Sequence, residues 1–197
     1  MDHIEAAKLA LRDQIVTARG RLPVATLGER ARAVAALLEE TPEVRRAATV
    51  AAYVSVGREP GTGPLLDMLV GAGKRVILPL LQSDGDLSWA TYAGTDALVT
   101  ARRGLLEPTT RPLGVEAVGT ADAVLVPGMA VDRAGIRLGR GGGSYDRALA
   151  RVPIGTFTCV VLNSEELLDE VPWADHDRRV GAAVTEQGLL RFPGVTR

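Results

Sequence analysis

Short apolar runs rich in β-branched residues recur along this chain at 48–56, 75–81, 123–126, 157–162 and 180–185, with helical patterning between most of them. That alternation constrains the fold more than any other feature. Runs that are apolar on every position suit strands covered on both faces, and strands that alternate with helices build a largely parallel sheet. The expectation is an α/β, Rossmann-like fold with helices on both faces of the sheet, and a single domain over residues 1–197. Ahead of the first run, Ile4, Ala7, Leu11, Ile15 and Ala18 recur at three- and four-residue spacing and predict a helix over 4–19. Thr26 with Glu29 forms a capping-box pattern that opens a second helix over about 26–40. A third helix is expected near 62–72, and segment 82–120 reads as loops around one edge hairpin or single strand at Leu87–Tyr92. A helix at about 144–151 and a helical turn at 164–170 complete the series.

The segment from Arg137 to Arg147 carries most of the chemistry. It places Gly139, Gly141, Gly142 and Gly143 among Arg137, Arg140 and Asp146, between an apolar run and a helix start. Glycines allow several backbone N–H groups to converge on an anion, and without Cβ they let it approach closely. The loop is not a Walker A motif, since no Gly-Lys-Ser/Thr follows, and it is not Gly-x-Gly-x-x-Gly, since position 144 is serine. Ser144 is the expected N-cap of the following helix. Asp146 has two readings, a hard oxygen ligand for Mg²⁺ or an acid complementing the helix dipole. Tyr145 either stacks on a ligand ring or wedges into the core.

Other residues also carry two readings each. Lys8 and Arg12 share a helix face, which suits an anion held between them or a solvated surface with Glu5 as local partner. Glu59, in Gly57-Arg-Glu-Pro-Gly-Thr62, is a substrate-reading carboxylate or one half of an exposed pair with Arg58. His176-Asp177 is an acid–base or metal-binding pair or an incidental loop dipeptide. No second histidine cluster accompanies it, so a zinc site is not indicated.

Composition excludes several classes. Hydrophobic residues make up 46% and charged residues 24%, close to the soluble average, and the net charge is -1. Arginine supplies 21 of the 23 basic residues, scattered among 24 acids, so no basic stripe indicates nucleic acid. No run is long enough to span a membrane, and the N-terminus lacks a secretory pattern. The one cysteine, Cys159, is expected to pack as a small apolar residue in a strand. A monomer in the cytoplasm acting on a small molecule is the resulting expectation.

In order along the chain, Lys8-x-x-x-Arg12, Glu59-x-x-Thr62, Gly73-Lys-Arg-Val-Ile-Leu-Pro79, Glu107-Pro108, Val171-Pro-x-x-x-His-Asp177 and Val184-Thr-Glu186 stand around one long motif. That motif is Val126-Pro-Gly-Met-Ala-Val-Asp-Arg-Ala-Gly-Ile-Arg-Leu-Gly-Arg-Gly-Gly-Gly-Ser-Tyr-Asp146. The set, from about Lys8 to Glu186, resembles the 5-formyltetrahydrofolate cyclo-ligase family. The resemblance implies an ATP- and Mg²⁺-dependent closure of 5-formyltetrahydrofolate to 5,10-methenyltetrahydrofolate, with release of ADP and phosphate. It implies ATP contacts from Lys8, Arg12 and the segment Arg137, Leu138, Gly139, Arg140, Gly141, Gly142, Gly143, Ser144 and Tyr145. Folate contacts are implied at Val54, Glu59 and Arg140 to Ser144, Mg²⁺ contacts at Asp146 and Asp177, and catalytic roles at Arg140 and Tyr145. The chain departs from the family pattern at Ser144, where an aromatic is usual, at Glu166, where glutamine is usual, and at Pro60-Gly61. Alternatives are a sugar-phosphate isomerase-like or acyl-CoA-type enzyme, and a non-catalytic nucleotide-binding regulator.

Overall fold

The computed structural model describes residues 3–192 and Gly194. The chain runs through α1 (His3–Arg21), α2 (Val24–Glu40), α3 (Pro42–Arg46), β1 (Thr49–Ala51), α4 (Gly63–Gly71), β2 (Arg75–Leu81) and β3 (Leu87–Thr91). Next come β4 (Leu98–Thr100), β5 (Leu106–Pro108), β6 (Pro112–Gly114), β7 (Ala123–Pro127), β8 (Ala130–Val131) and β9 (Arg137–Leu138). The last elements are α5 (Ser144–Ala150), β10 (Phe157–Val161), β11 (Ala182–Thr185) and β12 (Gly188–Arg191).

Eight strands form the main sheet, in the order β12-β11-β10-β7-β1-β2-β3-β6. The central strands β11, β10, β7, β1 and β2 are parallel to one another, while β12, β3 and β6 pair antiparallel. Apolar residues alternate across it, as the pleat requires. Val50, Val76, Leu78, Leu125, Cys159, Val161 and Val184 face a core shared with Val34 and Leu38 of α2 and with Leu65, Leu66 and Leu69 of α4. Ile77, Trp89, Val124, Val126, Val160 and Ala183 face the other side, where Ala148 and Leu149 of α5 close a second core. The expected α/β architecture with both faces covered is what the structure has, and Cys159 is fully buried in β10.

Local details differ from the sequence reading in instructive ways. Helix α1 buries Lys8, Ile15 and Arg19 while Ile4 and Ala18 stay exposed, so the buried stripe is rotated toward cations. Helix α2 starts at Val24 with Pro23 as its extended N-cap and no side-chain cap, which leaves Thr26 inside the first turn rather than at a capping box. Strand β1 is only three residues long, and side-chain bonds replace ladder bonds a few residues further on. The N–H of Ser55 donates to Thr62 Oγ1 at 2.9 Å and that of Val56 to Glu59 Oε2 at 2.9 Å, so the chain leaves the sheet as a clamped loop. The hairpin of β8 and β9 lies between β7 and the glycine segment, and β12 extends the sheet edge; neither follows from the sequence pattern. Both β8 and β9 have two residues, too few for alternation to register.

Strand order reverses between β1 and β7, since β1 leads through α4 to β2 on one side while β7 lies on the other. A cleft beyond the carboxyl ends of strands at such a point is the usual ligand position in sheets of this kind.

Candidate active site

A cleft of about 720 Å³ opens there. Its floor comes from the segments that follow β1 and β7, including Tyr53, Val54, Pro127 and Gly128. The expected site residues line it: Lys8, Arg12, Val54, Glu59, the run Arg137 to Asp146, and Asp177. These come from α1, the loop after β1, the β9–α5 connection and the turn at 174–178.

The glycine segment is held by contacts on two sides. Gly141 at φ +92° and Gly143 at φ +66° lie in the left-handed region, which glycine adopts without strain. Gly143, not Ser144, is the N-cap of α5. The Ser144 hydroxyl instead donates to the carbonyl of Gly85 at 2.5 Å, joined there by Arg147 Nη2 at 2.5 Å, which fixes the loop to the β2–β3 turn. A side chain cannot both cap its own helix and reach a neighbouring turn, and the neighbour wins. From the other side Arg12 Nε donates to Gly139 O at 2.9 Å, and a Cβ on Gly141 would meet the Arg12 guanidinium at 3.3 Å.

The charges are organised in pairs. Lys8 is 3% exposed, and its ammonium donates to Asp177 Oδ2 at 2.6 Å with Glu5 Oε1 at 3.6 Å, so the solvated-face reading of Lys8 does not hold. Asp177 also accepts from the N–H of Ala174 at 2.7 Å. Arg137 reaches Asp146 Oδ1 at 3.2 Å and lies over the Tyr145 ring, 5.9 Å from its centre. Asp146 takes a second bond from the N–H of Arg178 at 3.0 Å. Arg140 Nη2 meets Glu59 Oε1 at 3.0 Å across the cleft. Arg58 turns away to the carbonyl of Leu22, so it is not the partner of Glu59. His176 is largely exposed, and its Nε2 stands 3.8 Å from Asp177 Oδ1.

Burial, followed by the nearby charge of Glu59, pushes the phenols of Tyr145 and Tyr53 upward, so both rings are neutral near pH 7. Tyr145 packs partly against the second core, as one of its two sequence readings had it, and also lines the cleft.

Among the described residues no three carboxylate, imidazole or thiol groups cluster around one point. Asp146 and Asp177 are two carboxylates lining the cleft, a donor type suited to Mg²⁺. That ion is commonly held by one or two carboxylates and completes its octahedron with water and ligand phosphate.

Several contributing residues were not visible from the sequence. Arg19, one turn beyond Ile15 on the buried face of α1, donates to Glu166 at 2.6 and 2.8 Å and to Gly128 O at 2.8 Å. Burial works to lower the Arg19 pKa, but the Glu166 bond and charge outweigh it and leave it raised. Arg103, Leu105 and Leu106, around the β4–β5 hairpin, form part of the cleft mouth. The spacing Lys8, Arg12, Ile15, Arg19 was the available signal for Arg19, since it continues one helix face.

The model of the 5-formyltetrahydrofolate cyclo-ligase family matches residues 4–186. The 5-formyltetrahydrofolate cyclo-ligase of Mycolicibacterium smegmatis is 47% identical over 135 residues, 66% of this chain and 69% of that protein. The Escherichia coli protein of the same name is 35% identical over 153 residues, 73% of this chain and 81% of its relative. The NMR structure of Aquifex aeolicus 5,10-methenyltetrahydrofolate synthetase superposes with a TM-score of 0.81 at 28% identity, covering 94% of this chain and 93% of that one.

Proposed function

The chain belongs to the 5-formyltetrahydrofolate cyclo-ligase family, and from that premise we propose that it uses ATP to close 5-formyltetrahydrofolate to 5,10-methenyltetrahydrofolate. The observation that carries the reading is the convergence in one cleft of the glycine segment, Lys8, Arg12, Arg137 and Arg140 with the carboxylates Asp146 and Asp177. Cations and backbone N–H groups against two carboxylates suit a triphosphate accompanied by a divalent ion.

In this reading the formyl oxygen attacks the γ-phosphorus of ATP, an O–P bond forms, and the bond to the β-phosphate oxygen breaks to release ADP. The lone pair of N10 then attacks the activated carbon, N10 loses its proton, and phosphate departs with the former formyl oxygen. Phosphoryl transfer of this kind calls for positioning and charge neutralisation rather than a covalent nucleophile. Lys8 and Arg12, on one face of α1, are assigned to the phosphates. The left-handed glycines let the backbone of 139–143 approach the transferring group. Arg140 spans the two ligands, since its guanidinium already meets Glu59, which with Val54 is assigned to the folate. Tyr145, neutral and bordering the cleft, is assigned to the reacting formyl group. Asp146 and Asp177 would hold Mg²⁺, which when bound neutralises charge on the phosphates.

The test is the rise in absorbance of the methenyl product, measured with ATP, Mg²⁺ and 5-formyltetrahydrofolate together and with each omitted. Product that forms only with all three supports the reading. No product at saturating Mg·ATP and folate removes it.

A further inference from the structure

Four buried side-chain polar atoms in the described residues have no hydrogen-bond partner: Tyr53 Oη, Trp89 Nε1, Arg137 Nε and Asn163 Oδ1. Buried polar groups are rarely left unmatched, and each exception calls for a reason. Only Tyr53 and Arg137 of these four residues line the cleft, and Arg137 is already engaged through both terminal nitrogens, to Pro127 O and Asp146 Oδ1. Tyr53 has no such engagement. It is 3% exposed, directly beyond the end of β1, and shares the cleft with Glu59 and Tyr145.

The position of that hydroxyl relative to the charges narrows the ligand it suits. Triphosphate recognition is assigned to α1 and the glycine segment. Tyr53 instead adjoins Val54 in sequence and lines the same cleft as the Glu59 carboxylate, on the side assigned to the heterocycle. A carboxylate only accepts hydrogen bonds, so it can read N–H groups on a heterocycle but not carbonyl or ring-nitrogen acceptors. A pteridine carries both kinds along one edge. A neutral phenol near Glu59 supplies a donor on the heterocycle side besides the Arg140 guanidinium, which is already paired with that carboxylate.

We propose that Tyr53 is a specificity-determining residue of the folate subsite, its hydroxyl donating to a carbonyl or ring-nitrogen acceptor of the substrate's pteridine beside Glu59. This rests on the functional reading above.

Tyr53→Phe removes the hydroxyl and keeps the ring, so the cleft shape is retained. Calorimetric titration of both proteins with 5-formyltetrahydrofolate, with Mg·ATP, and with p-aminobenzoylglutamate, which lacks the pteridine, isolates the bond. The expected result is a Kd for the folate raised about 3- to 10-fold in Tyr53→Phe, the range of one neutral hydrogen bond. The other two ligands should change by less than about twofold. The melting temperature of the ligand-free variant should match or exceed the wild-type value, because an unmatched buried hydroxyl has been removed. An unchanged folate Kd, or equal losses for folate and Mg·ATP, overturns the proposal, and so does a loss for p-aminobenzoylglutamate as large as that for the folate. Wild-type protein that turns over folate while Tyr53→Phe binds it equally well overturns this inference alone. Wild-type protein that fails to bind folate overturns both readings.

Discussion

Lys8 is a cation almost wholly removed from water, tolerable only because Asp177 lies 2.6 Å away. Its ammonium carries three N–H groups, and the two carboxylates beside it leave capacity for a phosphate oxygen. Lys8→Ala therefore removes an expected phosphate contact and leaves Asp177 as uncompensated negative charge facing the same ligand. Charge-assisted bonds are worth about 1.5–3 kcal/mol, so KM for ATP should rise at least about tenfold. KM for 5-formyltetrahydrofolate should stay within about threefold, and steady-state kinetics with each substrate varied in turn checks the split. Equal increases for both would place Lys8 outside the phosphate site. The types and positions of such residues were legible in the sequence, but their partners were not. Lys8 and Asp177 are 169 positions apart, and Arg19 and Glu166 are 147 apart. Nothing local encodes which distant acid a buried cation meets. Tyr53 was passed over for a different reason, because within a run of apolar residues a tyrosine reads as core, and its ring does pack there.

The β9–α5 connection is the element on which the site depends, and its glycines are not equivalent. Gly143 caps α5 at φ +66°, where an L side chain costs about 1–2 kcal/mol. Gly143→Ala should lower the melting temperature by about 2–8 °C, as thermal unfolding by circular dichroism would show. Gly141→Ala differs in what its Cβ would press on, the Arg12 guanidinium at 3.3 Å, where the Cβ of Gly143→Ala would meet Arg147 at 3.2 Å. It should raise KM for ATP beyond the effect of Gly143→Ala, and the reverse order would separate Arg12 from the phosphate site. The loop's composition was legible as that of an anion site, the role proposed for it, but its contacts through Gly85 and Gly139 depend on long-range packing.

Behind that connection, Asp86 accepts two bonds from Arg151 at 2.9 and 2.6 Å, tying the β2–β3 turn to the end of α5. The Arg151 bond, opposed by burial, holds the Asp86 carboxyl below its ordinary value. A carboxylate whose folded pKa is depressed stabilises the fold above its unfolded value of about 3.9 and loses that contribution as pH falls through the folded pKa. Wild type should thus melt a few degrees above Asp86→Asn at pH 7. The gap should narrow below about pH 4 and vanish in stronger acid. A gap that persists there would mean that packing, not charge, joins these elements.

At the scale of the whole molecule, the cleft gathers residues from α1 near one end of the chain and from 174–178 near the other, around the β1–β7 reversal. Strand identity and the parallel core were legible because continuous apolar runs admit few alternatives. Their order β12-β11-β10-β7-β1-β2-β3-β6 was not, since pattern alone does not say on which side of β1 the chain places β7. A ligand that bridges segments so far apart in sequence should stabilise the entire fold. Saturation at a hundred times Kd adds about 2.7 kcal/mol, or about 5–10 °C for a chain of this length. In the proposed reading the divalent ion governs how much of that appears. Without it, Asp146 and Asp177 confront the triphosphate with charge of the same sign, and ATP in the presence of a chelator should raise the melting temperature by less than half as much. Asp146→Asn should shift the Mg²⁺ concentration needed for stabilisation upward several-fold while the ligand-free protein melts within a few degrees of wild type. Equal shifts by ATP with and without Mg²⁺ would show that these carboxylates hold Lys8 and Arg137 in place and nothing more.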